Sequence, residues 1–153
     1  MFNHNVTRNV AADIAMAPVA AGTGDTQTGI AIDTLGYQSV VFLVYLGTLT
    51  ASAVTTIKLQ HGDAANLSDA ADIAGTAISV PQASGGGKGW FSVEIHRPTK
   101  RYMRVAVVRA TANAVINGAI VLMGRGNSLP PAQGATMANN VPTVLVGPIS
   151  GTA

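Results

Sequence analysis

The chain contains residue types that could carry out acid–base or metal chemistry, but their spacing assembles no familiar site. The three histidines are His4, His61 and His96, and no carboxylate stands at an offset that would complete a metal site with them. Glu94 and His96 are two residues apart, so within a strand they would project from the same face. A solvated strand edge or a loop hydrogen bond explains this pair better than catalysis does.

The serines, the acidic residues and the glycine-rich run also lack the sequence patterns of catalytic or ligand-binding sites. No serine lies in a Gly-x-Ser-x-Gly turn, and the seven acidic residues are too dispersed to predict the carboxylate pair of a glycosidase. Asp63, Asp69 and Asp72 lack the spacing of a calcium loop, so capping and turn roles explain them better. The glycine run from Gly85 to Gly89 leads into a strand, which predicts a hairpin loop and not a phosphate loop. We therefore expect no enzyme activity, no catalytic or cofactor-binding residues, no metal site and no cofactor.

Charge and cysteine content narrow the classes of protein further. Nine Lys and Arg against seven Asp and Glu give a formal net charge of +2, which is too small for the basic footprint of a nucleic-acid-binding protein. The absence of cysteine excludes disulfides and thiolate metal sites. The longest apolar run, Val40 to Leu46, is far shorter than the roughly 20 residues of a membrane-spanning helix. Asp13 interrupts the apolar stretch near the N-terminus, which argues against a cleaved signal peptide. We expect no direct nucleic-acid binding and no membrane insertion.

Short β-branched runs separated by Gly, Asn, Asp and Ser predict an all-β sandwich or barrel, and only residues 61–72 could form a helical turn. Alternation such as that of Phe91, Val93 and Ile95 predicts half-buried antiparallel strands. Val40 to Leu46 is apolar on both faces, which fits either a central strand covered on both sides or a strand at a subunit contact. The predicted strands are Thr28 to Asp33, Gln38 to Leu46, Val54 to His61, Ile73 to Val80, Trp90 to Ile95, Tyr102 to Arg109 and Val115 to Met123.

The two ends of the chain differ in composition from this β core. Residues 126–153 contain no Asp, Glu, Lys, Arg or His, but have four prolines and an apolar cluster at Val144, Leu145 and Val146. That segment is too apolar for a solvated linker and too broken by proline to fold alone. Residues 1–27 are rich in Ala, Gly and Thr. We therefore predict an N-terminal arm over residues 1–27, a core over 28–125, and an extended C-terminal arm over 126–153 that lies on a neighbour.

The low content of charged residues predicts that partners cover much of the surface. Only 10% of the residues are charged, against roughly 25% in an average domain. We expect a homo-oligomer, a dimer or a trimer. Six of the nine basic residues lie between residues 97 and 125, where they could face an acidic partner, although solvated strand ends and loops are the simpler interpretation. The candidate interface residues are Arg97, Lys100, Arg101, Arg104, Val144, Leu145 and Val146.

Three segments of the chain resemble the small head decoration, or cement, proteins of tailed bacteriophages and prophages. They are the run from Asp33 to Phe42, the strand from Thr55 to Asp63, and the run from Lys100 to Val105. The resemblance covers residues 28–125 and brings no catalytic residue with it. It implies an antiparallel β-sandwich, jelly-roll-like, that forms small homo-oligomers on the outer capsid surface and bridges adjacent major capsid proteins. The implied location is the virion, after assembly in the host bacterial cytoplasm.

A carbohydrate- or receptor-binding β module of a fibre, tail or baseplate is the alternative function. Such a module needs a cluster of aromatic side chains on its surface. Trp90 is the single tryptophan, and aromatic residues make up only 5% of the chain. This scarcity argues against the alternative.

Overall fold

A computed structural model of the chain describes residues 6–82, 89–124 and 134. Within these residues the chain is almost entirely β, and two antiparallel sheets pack as a sandwich, which confirms the predicted fold class. One helical turn, α1 (Val6–Asn9), precedes the strands. The strands are β1 (Val10–Met16), β2 (Val19–Gly22), β3 (Asp25–Thr28), β4 (Ile32–Asp33), β5 (Ser39–Leu49), β6 (Ala53–Gly62), β7 (Ala71–Asp72), β8 (Ile78–Gln82), β9 (Gly89–His96), β10 (Tyr102–Thr111) and β11 (Ala114–Gly124).

The order of the strands defines a jelly roll. Sheet A has the order β1-β11-β5-β9, and β2 also pairs with β11. Sheet B has the order β3-β10-β6-β7, with β4 beside β10 and β8 beside β6. Three pairs of strands share one partner each: β1 and β2 pair with β11, β3 and β4 with β10, and β7 and β8 with β6. If each such pair is counted as one interrupted strand, the chain has eight strands in sequence order. The first of these pairs with the eighth, the second with the seventh, the third with the sixth and the fourth with the fifth, which is the nested pairing of a jelly roll.

The core lies between the two sheets and consists of side chains at alternate positions of the long strands. In β5, Val40, Phe42, Val44 and Leu46 point inward and are fully buried. Burying a side chain of this size contributes roughly 1.5 to 3 kcal/mol to the free energy of folding. The run from Val40 to Leu46 therefore lies in a central strand of sheet A that is covered on its inner side, while its outward side chains Val41, Leu43 and Tyr45 are only half-buried. Cover on both sides is not observed in the described residues, and the predicted subunit contact stays a prediction.

The N-terminal arm predicted over residues 1–27 differs from the structure. Residues 10–28 form three strands, of which β1 and β2 pair with β11 and β3 pairs with β10. Ala11 and Ala15 are fully buried in the core. The sequence pattern missed these strands because small side chains such as Ala and Gly give almost no alternation signal, although they suit close packing. Residues 1–5 lie outside the described residues.

The C-terminal arm predicted over residues 126–153 lies outside the described residues, except for Gly134. The backbone N–H of Gly134 donates a hydrogen bond to the carbonyl oxygen of Ala12 in β1, at 3.0 Å. This residue therefore contacts sheet A of its own chain. The predicted contact of the remaining arm with a neighbour stays a prediction.

The loop between β6 and β7 contains turns and not the helical turn that residues 61–72 could have formed. Leu67 adopts a φ of 52°, which is outside the right-handed helical region, and its side chain is buried. Asp69 accepts hydrogen bonds from the backbone N–H groups of Asp63 and Ala64, at 2.7 and 3.2 Å. The side chain thus satisfies loop amides that a helix would have used, as expected for a turn-forming Asp. No helix in the described part of the chain is long and apolar enough to cross a membrane.

Candidate docking face

The outer face of sheet A is mainly apolar across β1, β5 and β11, although it faces away from the core. Its side chains alternate with the inward positions of the strands and are half-buried or exposed. On β9 only Trp90 continues this apolar surface, because Ser92, Glu94 and His96 are polar. Ile14 is 45% exposed, Ile120 is 38% exposed and Trp90 is 62% exposed. We call this surface the apolar face, and its residues are Ile14, Val41, Leu43, Tyr45, Trp90, Ile120 and Leu122.

The outer face of sheet B has the composition expected of a solvated surface. The outward positions of β6 include Thr56, Lys58 and Gln60, and Gln60 lies opposite Arg104 on β10. Lys58 pairs with Asp72 at 2.6 Å, and Arg104 donates to the side-chain oxygen of Gln60 at 2.8 Å. The two outer faces therefore differ, because the outward positions of β6 are largely polar, whereas those of β1, β5 and β11 are largely apolar and the polar groups of sheet A lie mainly along β9, at Ser92, Glu94 and His96.

Two stacked aromatic rings include the most exposed residue of the apolar face, Trp90. Tyr45 and Trp90 are opposite each other on the paired strands β5 and β9. Their ring centroids are 4.9 Å apart and the planes differ by 20°, so the rings stack. Such a pair contributes about 0.5 to 1.5 kcal/mol beyond the burial of its area. The stack holds the Trp90 ring in place while leaving most of it open to solvent.

A shallow groove of about 210 Å³ runs beside this aromatic pair. β11 has register shifts on both sides of Ile116, and Gly118 adopts a φ of 121° there. Glycine suits this position because other residues rarely adopt that φ and a Cβ would lie 3.1 Å from the carbonyl oxygen of Met16. The surface of the groove is almost wholly apolar, which favours an apolar occupant. The lining residues are Ile14, Met16, Pro18, Tyr45, Trp90, Asn117, Gly118, Ala119 and Ile120.

Two of the four basic residues predicted at an interface are paired within the chain. Lys100 forms an ion pair with Asp63. Arg101 donates to both carboxylate oxygens of Asp33, at 2.8 to 3.2 Å, and its guanidinium lies 5.1 Å from the ring centroid of Tyr102. Both pairs are solvent-exposed, so water and salt compete with them and their contribution to folding is small. Their pairing neutralises much of the charge predicted for this region.

The other predicted interface residues do not join these two into one patch. Arg104 lies on the outer face of sheet B beside Tyr102, as the alternation predicted. Arg97 lies in the turn after β9, with a φ of 54°, and is exposed. Within the described part of the chain, neither Arg97 nor Arg104 forms an ion pair. Val144, Leu145 and Val146 lie outside the described residues.

Arg109 has a role that the sequence analysis missed. Its side chain is 4% exposed and forms an ion pair with Asp25, in which Nε donates to one carboxylate oxygen at 2.6 Å. Nη1 donates to the backbone carbonyl oxygens of Ala20 and Ala114, at 2.7 and 3.0 Å. Arg109 thereby connects β10 and β3 in sheet B with β2 and β11 in sheet A. The sequence contained an indication of this role, because Arg109 stands at the next alternate position after Val105 and Val107 and therefore points to the same, inward side of the strand.

The acidic side chains of the described residues accept hydrogen bonds in turns or form ion pairs, and they do not gather into a metal-ligand cluster. Within those residues there is no group of three or more His, Cys, Asp or Glu side chains that could hold a metal. Asp69 hydrogen-bonds backbone amides, in agreement with the predicted turn role. Glu94 accepts a hydrogen bond from Ser39 Oγ at 2.5 Å, and both Glu94 and His96 are exposed on sheet A.

Four aspartates have lowered pKa values, from which we expect the free energy of unfolding to decrease in acid. The pKa of Asp69 is lowered, chiefly by the N–H of Asp63, and the pKa of Asp33 is lowered, chiefly by hydrogen bonding from Arg101. Arg109 lowers the pKa of Asp25 and Lys58 that of Asp72. Because these folded-state values lie below the unfolded value of about 3.9, their contribution is complete above that pH and is lost as the pH falls through the folded values.

We expect the free energy of unfolding measured in urea to be steady above about pH 4 and to decrease as the pH falls below that value. Asp69→Asn should reduce this dependence, because the altered side chain no longer titrates. An unchanged acid profile in Asp69→Asn would contradict the assignment to Asp69.

Comparisons with known proteins give structural similarities only. No protein-family model matches the chain, and no curated protein matches it. The crystal structure of the PBSX exported protein XepA is similar to it, with 15% identity and a TM-score of 0.48, over 94% of this chain and 44% of that one. A structure of Bacillus endospore appendages, described as disulfide-linked pili, is similar with 16% identity and a TM-score of 0.44, over 76% of this chain and 88% of that one. The chain thus spans less than half of the first protein, and neither similarity establishes a function.

Proposed function

We propose that this chain is a non-catalytic virion protein that binds the outer capsid surface of a bacteriophage and cements adjacent major capsid proteins. The observation that carries the proposal is the contrast between the two outer faces of the sandwich. Sheet B is polar outward, whereas sheet A presents the apolar face with Trp90 62% exposed. Large exposed apolar patches on a folded domain mark surfaces that bind other macromolecules.

Burial of the apolar face supplies the free energy of attachment. Covering a large side chain such as Trp90 or Ile120 contributes on the order of 1.5 to 3 kcal/mol, from which the cost of association is subtracted. A shell offers many equivalent sites, so modest contacts by several linked copies add through avidity. A jelly roll supports this use by analogy, because viral capsid domains share that architecture, although fold alone does not define function.

Charged residues have a smaller part in this proposal than apolar ones. Lys100 and Arg101 already have carboxylate partners, so an acidic capsid surface would have to compete with Asp63 and Asp33. Arg97 and Arg104 are the better candidates for charged contacts at the rim. Attachment should therefore depend only weakly on salt, because screening affects exposed charges and not apolar burial.

Substitution at the apolar face tests the proposal directly. We expect Trp90→Ala to weaken binding to empty heads of the phage that encodes this chain, prepared without the chain, by at least tenfold, which is about 1.4 kcal/mol. Thr56→Ala on the outer face of sheet B is the matched control and should bind normally. Co-sedimentation with the heads measures both variants, and equal binding would overturn the proposal.

The stacked aromatic pair also allows a test of the alternative, a carbohydrate- or receptor-binding module. Sugar sites combine an aromatic platform with several polar groups that bind hydroxyls. Here the groove lining offers a single side-chain amide, that of Asn117, beside the Tyr45 hydroxyl and the Trp90 indole N–H. Because Trp90 is the single tryptophan, its fluorescence reports the groove. A blue shift with heads and none with soluble sugars supports attachment to the shell, while a saturable response to a sugar supports the alternative.

A further inference from the structure

β9 is an end strand of sheet A, and its outer edge is open. All eight of its residues pair with β5 in continuous register. No strand pairs with its opposite edge within residues 6–82, 89–124 and 134. An edge strand of this length presents a row of free backbone N–H and C=O groups that can pair with another strand.

The other sheet edges carry features that discourage such pairing. β1 has a register shift between Ile14 and Met16, and it accepts the hydrogen bond from Gly134. β3 and β4 are only four and two residues long, and β7 has two. β8 contains Pro81, which lacks an N–H. β9 has no proline, no lysine and no register shift, so it lacks these means of protection.

The core is also incompletely covered at β9. Phe91, Val93 and Ile95 point inward from this strand but remain only half-buried. In the neighbouring strand β5, the inward side chains Val40 and Phe42 are fully buried. A strand added beyond β9 would cover the exposed sides of these three residues.

We propose that β9 pairs antiparallel with β9 of a second copy of this chain, which joins two A sheets into one continuous sheet. Residues directly opposite in such a pair share a face, so the sequence of β9 can be tested for self-complementarity. With Ser92 opposite Ser92, Trp90 faces Glu94 and Phe91 faces Val93. With Val93 opposite Val93, Trp90 faces His96 and Ser92 faces Glu94.

Both registers place apolar residues opposite each other on the inner side and bring no like charges together. The arrangement is a two-fold, self-complementary contact, the commonest kind in homo-oligomers. It also places the two apolar faces on the same side of the joined sheet, where a shell could be contacted by both. The pairing does not depend on the proposed attachment to a capsid.

The absence of cysteine from the chain makes cross-linking between copies unambiguous, because any disulfide in a single-cysteine variant joins two molecules. Opposite residues in an antiparallel pair have Cβ atoms about 4.5 to 5.5 Å apart, close to disulfide geometry. We expect Ser92→Cys or Val93→Cys, according to the register, to be mostly cross-linked under mild oxidation. Thr56→Cys on sheet B is the control and should stay monomeric on non-reducing gels. Cross-linking of both β9 variants only at the level of Thr56→Cys would overturn the proposal.

A variant that adds positive charge to β9 tests the same pairing without a cross-link. Ser92→Lys combined with Glu94→Lys places lysine opposite lysine in both registers, and both positions are exposed, so folding should be unaffected. We expect light scattering to show a wild-type dimer at micromolar concentration and at least tenfold weaker dimerisation in this variant. Thr26→Lys combined with Thr28→Lys, at exposed positions of β3, is the matched control. A wild-type monomer, or an oligomer that the β9 variant leaves intact, would overturn the proposal. These measurements use purified protein alone, so they can fail while binding to heads succeeds.

Discussion

Replacing Arg109 with methionine is expected to lower the free energy of unfolding by about 1 to 3 kcal/mol. The side chain is almost fully buried and makes hydrogen bonds to Asp25, Ala20 and Ala114. Methionine keeps the apolar stem but removes every donor, which leaves two backbone carbonyl oxygens without these partners and the Asp25 carboxylate without its ion pair. Leaving buried acceptors unsatisfied costs more than the hydrogen bonds contribute when formed.

The location of Arg109 explains why this loss should act on the whole fold. The guanidinium connects strands of both sheets where β2 and β3 cross from one sheet to the other. These strands consist of small and polar residues, so they have few large side chains to bury. Their attachment therefore depends on the Arg109 hydrogen bonds more than the long central strands do.

Arg101→Ala is the control for Arg109→Met. Arg101 also pairs with an aspartate, but its side chain is 48% exposed and that of Asp33 is 43% exposed. Water compensates for the loss of such a pair, so we expect a much smaller loss of stability than in Arg109→Met. Thermal and urea unfolding would compare the two variants. Equal stabilities would show that Arg109 does not connect the sheets as described.

Replacing Gly29 with alanine is expected to lower the free energy of unfolding by about 2 to 4 kcal/mol. A Cβ at Gly29 would penetrate the carbonyl oxygen of Ala15, which is backbone and cannot rotate away. The N–H of Gly29 donates to the carbonyl oxygen of Val105 at 2.8 Å, and the N–H of Ile30 donates to that of Ala15 at 2.9 Å. The chain can relieve the overlap only by moving one of these segments, which weakens the hydrogen bonds.

Gly124→Ala provides the matched control. A Cβ at Gly124 would have no atom within 4 Å, and this glycine is not among those with a positive φ. We expect its melting temperature to stay within a few degrees of the wild type, because one kcal/mol shifts a domain of this size by roughly 2 to 4 °C. Gly29→Ala should melt about 4 to 16 °C lower. Similar melting temperatures for both variants would contradict the close approach at Gly29.

Local sequence patterns predicted the β-class and the long strands. The alternation in Trp90 to Ile95 and Tyr102 to Arg109 closely matches β9 and β10, because in a strand every second side chain points to the same side. The two-sided apolar character of Val40 to Leu46 indicated that both faces of β5 need cover. The structure supplies cover on one side and leaves the other as the apolar face.

Only the tertiary structure decided which residues meet. The nested pairing of a jelly roll joins strands far apart in the chain, such as β1 and β11, and local alternation has no information about the partner. The tertiary structure also places carboxylates of the same chain beside Lys100 and Arg101, and it buries Arg109 beside Asp25. The sequence by itself determined which side chains alternate along each strand. The fold determined which outer face is apolar and which edge is open, because both properties depend on the neighbours that the topology assigns to each strand.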